Sequence, residues 1–236
     1  MNQPKWLYVL LLSSALAACG GSSSPENGSS SSSSSSSNPA SSSSASASSE
    51  PASTVFVCPE SGLYFCDDFS DGTADQWVLQ SSPDNPEGEP NGTFDVVEDG
   101  DNHVLRFTAA SQGGELAFID VNALEIPSED YCVEARIRPR ENSTTGNKFL
   151  YLMARYHSEG NWYAAGLNVQ NNTDSTKVEI AKSVDGTIDR PVQVGREIVQ
   201  GPRDTLEGGQ WYTVRFELIG DTLTVYFNGE NVGSHT

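Results

Sequence analysis

Tyr131-Cys-Val-Glu-Ala-Arg-Ile-Arg138 alternates along its length. On an extended chain Tyr131, Val133, Ala135 and Ile137 fall on one face and Glu134, Arg136 and Arg138 on the other, the pattern of a half-buried strand. Working outward, Gln210 to Ile219 and Thr222 to Phe227 form a second signal: Gly220-Asp221 is a two-residue hairpin link, and Asn228-Gly229 favours a tight positive-φ turn that begins another hairpin. Shorter runs at Leu63 to Asp68, Val104 to Ala109, Leu116 to Ile119, Lys148 to Tyr156, Trp162 to Gln170 and Lys177 to Ser183 are punctuated by Gly, Asn, Asp and Pro. No convincing amphipathic helix interrupts them. The expected fold is therefore all-β, a two-sheet antiparallel sandwich or jelly roll over residues 54–236.

The preceding quarter of the chain has another character. Lys5, the apolar run Trp6 to Leu12 and the small residues before Cys19 read as a targeting segment over residues 1–18, too short to span a bilayer as a mature helix. Leu16-Ala-Ala-Cys19 resembles the lipobox of bacterial lipoproteins. That resemblance implies acylation of Cys19, and Gly20 and Gly21 in place of a retaining aspartate imply an outer-membrane address. Each buried methylene of such an anchor contributes about 0.8 kcal/mol. Residues 19–53 hold nine consecutive serines, Ser29 to Ser37, and too few apolar side chains to offset the entropy of ordering. They read as a disordered linker, whose length places the domain on the order of 30 Å from the lipid. The style resembles polyserine linkers of polysaccharide-degrading bacteria.

The 236 residues carry 13 Lys+Arg against 32 Asp+Glu, a formal net charge of -19. Nucleic acid and acidic membrane surfaces need a basic footprint, so neither is an expected dominant partner. Since Glu26 and Glu50 are the linker's only charges, almost all of the excess belongs to the domain.

Four segments in order carry a family likeness: Asp67-Asp-Phe-Ser-Asp-Gly72 with Trp77, Tyr131 to Pro139, Ala154 to Tyr163, and Gln210 to Gly229. Together they resemble the concanavalin A-like lectin/glucanase superfamily in its laminin-G-like branch, over roughly residues 63–233. The resemblance implies a two-sheet jelly roll whose concave sheet commonly binds carbohydrate, in a superfamily spanning lectins, binding modules, hydrolases and lyases. It also implies a further strand after the last hairpin, beside the first strand. With Thr236 as the last residue, the expectation is a domain one strand short, from a fragment or with an exposed edge.

With Cys19 given to lipid, Cys58, Cys66 and Cys132 remain in a compartment that permits disulfides. Cys58 with Cys66 would close a short loop at a typical 2 to 4 kcal/mol, and Cys66 with Cys132 is the alternative. His103, His157 and His235 are far apart in sequence and no Cys-x-x-Cys occurs, so neither a transition-metal site nor a catalytic thiol is expected. Asp67, Asp68 and Asp71 are hard oxygen donors near a turn, in a fold whose relatives often hold a structural ion, and are the candidates for calcium. Aspartate-capped turns account for the same residues.

Retaining glycosidases need two carboxylates about 5 to 5.5 Å apart on one face. The family-16 Glu-x-Asp-x-x-Glu triplet is absent, and the acids of Val178 to Asp185 and Phe216 to Asp221 are single, with wrong spacing, as expected of solvated strand faces. A jelly-roll lyase would use a tyrosine or histidine with a uronate-neutralising Arg, Gln or Asn. Tyr156, His157, Tyr163, Arg155, Arg136 and Gln170 supply that chemistry without the accompanying lyase motifs. For carbohydrate binding, aromatic rings present apolar faces while Arg and Asn offer planar hydrogen-bonding groups. The candidates are Tyr156, Trp162, Tyr163, Arg155 and Asn168 on two adjacent strands, with Arg136 and Arg138 on a neighbour. The expectation is a surface-displayed lipoprotein whose domain binds polysaccharide, neutral rather than acidic, with a lyase or glycosidase and an adhesion module as the alternatives.

Overall fold

The computed structural model describes residue 58 and residues 63–80, 92–109, 116–118, 130–141, 148–158, 160–170 and 175–236. The targeting segment, Cys19 and the serine linker lie outside them. In chain order the strands are β1 (Val78–Gln80), β2 (Gly92–Asp99), β3 (Asn102–Ala109), β4 (Leu116–Phe118), β5 (Tyr131–Ile137), β6 (Lys148–Ser158), β7 (Asn161–Val169), β8 (Lys177–Val184), β9 (Thr187–Gly195), β10 (Tyr212–Ile219), β11 (Thr222–Phe227) and β12 (Glu230–His235). Two four-stranded antiparallel sheets, β6-β7-β8-β9 and β12-β11-β10-β5, form the two layers of a jelly-roll sandwich, and β1-β4 and β2-β3 are two-stranded pairs.

Alternation decides what each sheet buries. From β5, β10 and β11, Val133, Ala135, Ile137, Tyr212, Val214, Phe216, Leu218, Leu223 and Val225 enter the core shared with Leu150, Leu152, Ala165, Leu167, Val178 and Ile180 of the other sheet. Glu134, Arg136 and Arg138 take the opposite face of β5, as the alternation requires. Hairpin chemistry sets the register. Asp185 and Gly186 have φ of 49° and 79°, and Asn228 and Gly229 of 49° and 82°, the double positive φ of a type I′ turn.

Three strands carry no clear sequence signal: β1, β2 and β9. Pro191 interrupts β9, and the structure reconciles it by placing β9 at a sheet edge, where a missing ladder N–H is tolerated. Leu63 to Asp68, expected as a strand, is irregular: the Asp67 and Asp68 carboxylates accept the amides of Phe69 and Ser70 at 2.7 and 3.1 Å and turn the chain. Cys58 pairs with Cys66, so the alternative Cys66–Cys132 bridge does not form.

Two buried features yield measurable consequences. Gly166 sits mid-strand in β7, and a Cβ there would overlap the Leu150 carbonyl oxygen and stand 2.9 Å from Tyr151 Cα. Backbone cannot move aside as a side chain end can, so Gly166→Ala should cost about 3 kcal/mol in urea unfolding. Gly195→Ala, with nothing within 4 Å of the added carbon, should stay within about 0.5 kcal/mol.

Lys148 follows the inward parity of Leu150, and its Nζ donates to the Arg140 carbonyl and Gln200 Oε1. Burial pushes its pKa down to about 8, against the upward pull of Glu141. Between about 8 and 10.5 the unfolded chain holds a proton that the folded chain lacks, so this residue's contribution to stability rises with pH across that window. The melting temperature of the native protein minus that of Lys148→Met should therefore increase from pH 7.5 to 10.5. A flat difference would contradict the assignment.

Candidate functional site

The outer face of the β6-β7-β8-β9 sheet carries an unusual layer. Phe149, Tyr151, Trp162, Ala164 and Ala181 form a second apolar cluster there, apart from the main core. In its midst Glu179 is 0% exposed. The register explains how the carboxylate is reached: Tyr151, Gly166 and Glu179 lie in one row across β6, β7 and β8. The absent side chain of Gly166 lets the Tyr151 phenol cross the middle strand and donate to Glu179 Oε1. Asn168 Nδ2 donates to Glu179 Oε2 at 3.3 Å, and Gln170 Nε2 to Asn168 Oδ1 at 3.1 Å.

Arg190 completes the cluster. Strict alternation from the inward-facing Val192 would turn it toward the core, but the β8-β9 register shifts between Ile180 and Lys182, so the extra residue of β9 re-aims it. Its Nε lies 3.1 Å from Glu179 Oε1, and its guanidinium sits 5.2 Å from the Phe149 ring centroid. Arg190 keeps 22% side-chain exposure, making it the cluster's route to solvent. Burial first, then the Glu179 charge, raises the Tyr151 pKa well above its ordinary value, with Arg190 opposing. Tyr151 therefore stays protonated, a donor toward a carboxylate held by three partners. The arrangement fixes planar polar groups beside aromatic rings, with Gln170, Gln193 and Lys177 at its rim and Lys177 Nζ donating to Gln193 Oε1 at 2.9 Å.

Of the seven residues singled out for carbohydrate, the structure brings Trp162 and Asn168 onto this face. Tyr163 has the opposite parity and packs against the main core. Arg155, with φ of 45° in the β6 irregularity, ties the sheets together: its amide donates to Tyr131 Oη at 2.7 Å and its Nη1 to the Gly220 carbonyl at 3.0 Å. The neighbouring Tyr156 is 44% exposed. Arg136 and Arg138 belong to the other sheet, where both guanidiniums lie over Trp211. The lyase set is likewise dispersed, with only Gln170 joining the Glu179 network. Sequence reasoning missed Tyr151, Glu179 and Arg190. Glu179, expected on a solvated strand face, is instead fully buried. A signal for it existed in Ala164 and Gly166, small residues at alternate positions of β7 that leave room for tall neighbours on that face.

At the proposed calcium position, Asp67 also accepts Trp77 Nε1 at 2.8 Å, Asp68 accepts the Cys58 amide at 3.2 Å, and Asp71 accepts the Thr73 amide at 2.9 Å. Burial pushes Asp68 up, but hydrogen bonds from Ser70 and Cys58 outweigh it and hold the carboxyl below its ordinary value. These donors are backbone amides and the Trp77 indole, and among the described residues no group of three or more His, Cys, Asp or Glu side chains is placed to hold a metal ion.

Removing one partner of a buried pair leaves the other uncompensated. Because Glu179 has no path to water and Arg190 does, Arg190→Gln should destabilise by about 3 to 5 kcal/mol. Glu179→Gln should cost less. Urea unfolding of both variants checks the order, and the reverse order would show that the carboxylate reaches solvent.

No curated protein matches the chain. Among solved structures it is similar to the carbohydrate binding module CBM66 from Bacillus subtilis, with 16% identity and a TM-score of 0.33 over 67% of this chain and 78% of that one. At that distance the likeness says nothing about function. Residues 66–236, most of the chain and nearly all of the sandwich just described, match one family throughout. The chain therefore belongs to the 3-keto-alpha-glucoside-1,2-lyase-like domain family.

Proposed function

We propose that the domain recognises carbohydrate on the outer face of the β6-β7-β8-β9 sheet. The observation that carries this reading is the fully buried Glu179, which holds Tyr151, Asn168 and Arg190 in fixed positions beneath a polar rim. A sugar presents hydroxyls on an apolar ring, so it suits pre-aligned amides and a guanidinium set beside aromatic side chains. Arg190, Gln170 and Gln193 would meet hydroxyls, while Glu179 and Tyr151 act as positioning residues. The acidic chain favours a neutral glycan. In the same reading, acylated Cys19 and the serine linker hold the domain at the outer-membrane surface, where it serves polysaccharide breakdown.

A second reading, elimination from a 3-keto-glucoside, is favoured by the family and by the phenol–carboxylate pair beside a cation. In such a step a base takes the C2 proton, made acidic by the C3 ketone, and the C1–O bond breaks. The departing oxygen takes up a proton as an alcohol. A C1=C2 bond conjugated with the ketone remains, and Tyr151 and Glu179 are the groups able to move protons.

Affinity electrophoresis of the full chain against neutral polysaccharides tests the binding proposal. We expect retention, weakened at least tenfold when Gln170→Ala and Gln193→Ala are combined, with no ultraviolet-absorbing product. No retention by any glycan would overturn it. Growth of enone absorbance on a 3-keto-glucoside, abolished by Tyr151→Phe, would replace it with the lyase reading.

A further inference from the structure

The outer face of the opposite sheet carries a separate cluster. Arg136, Arg138 and Arg140 follow one another at two-residue spacing along β5 and its extension. Trp211 lies one residue past the Ile137–Tyr212 pair, on the side of Arg136 and Arg138. The Arg138 guanidinium is 4.6 Å and that of Arg136 5.5 Å from the Trp211 ring centroid. Arg138 Nη2 pairs with Asp99 Oδ2 at 2.8 Å. Arg140 instead donates to carbonyls: Leu206, Glu207 at 2.7 Å and Gly208 at 2.9 Å. Carbonyl oxygens satisfy its N–H groups without cancelling its charge.

We infer that Trp211 with the Arg136, Arg138 and Arg140 strip is a second glycan site, taking a carboxylated sugar residue. The indole offers an apolar face for the sugar ring, and the guanidinium forks suit a carboxylate. The Arg138 charge acts on the guanidiniums on either side of it. Burial and then the Arg138 charge lower the Arg136 pKa, and the same causes act on Arg140, partly offset by Asp99. An incoming anion relieves that repulsion, whereas a neutral sugar would not. The chain's charge of -19 does not forbid this. At physiological salt the Debye length is about 8 Å, so carboxylates far from the strip are screened, and the carboxylate within it, Asp99, is already paired with Arg138. The site goes beyond the glycan proposal above and uses none of its residues.

Polygalacturonate and its methyl ester share a backbone and differ in charge, so affinity electrophoresis of the full chain in the two gels isolates the carboxylate. Retention should appear with the acid only and decline as salt is raised. Arg136→Gln and Trp211→Ala should each weaken it at least tenfold while melting near the native temperature. The native protein run in a neutral-polysaccharide gel reports the other face by itself, which separates failure here from failure of the neutral-glycan site. Equal retention by acid and ester, or retention by the acid that survives both Arg136→Gln and Trp211→Ala, would overturn the inference. So would no retention by the acid. Should Trp211→Ala fail to fold, Trp211→Phe, which keeps a ring, takes its place with a smaller expected loss of about threefold.

Discussion

Everything in this domain depends on two sheets sharing one apolar interior. Each four-stranded sheet has one face of alternating side chains that must leave water, and each can do so only against the other. Phe216 and Leu218 of β10 meet a core that includes Leu150, Leu167 and Ile180 across the sandwich, all of them essentially inaccessible. Burial of this kind is worth about 1.5 to 3 kcal/mol for each large side chain. It fixes register strictly, because a one-residue slip would turn every such side chain outward.

Once the interiors are committed, the outward faces are free to carry chemistry, and they do so differently. On one, a carboxylate is enclosed with aromatic and small residues and neutralised by a guanidinium. On the other, guanidiniums gather over an indole. An isolated buried carboxylate would be very costly, so Glu179 persists because Tyr151, Asn168 and Arg190 all address it. Two departures from regularity make this feasible: the missing side chain at Gly166 and the extra residue in β9 that re-aims Arg190.

The acidic composition also gains a meaning from the fold. Many carboxylates serve local duties: Asp67, Asp68 and Asp71 cap a turn, Asp130 accepts the Gly220 amide, and Glu217 pairs with Arg215 and accepts Tyr226 Oη at 3.2 Å. Average charge is thus a poor guide to what any one face attracts. Arg136, Arg138 and Arg140 gather on one face of an otherwise acidic chain.

The sequence by itself determined the fold class and most strands, because a period of two and the turn pairs Gly220-Asp221 and Asn228-Gly229 are local properties that need no knowledge of the partner strand. It also determined the faces of β5 and the hairpin through Asn228-Gly229. What only the tertiary structure decided was which distant residues share a face. Arg136 and Trp162 are both outward, yet on opposite sheets. Tyr163 turns inward by parity. Glu179, Tyr151 and Arg190, from three strands, converge through a glycine and a bulge. Side chains from separate strands meet only after pairing order and register are set, and those follow from burying the whole interior at once, a sum over long-range contacts that no local pattern contains.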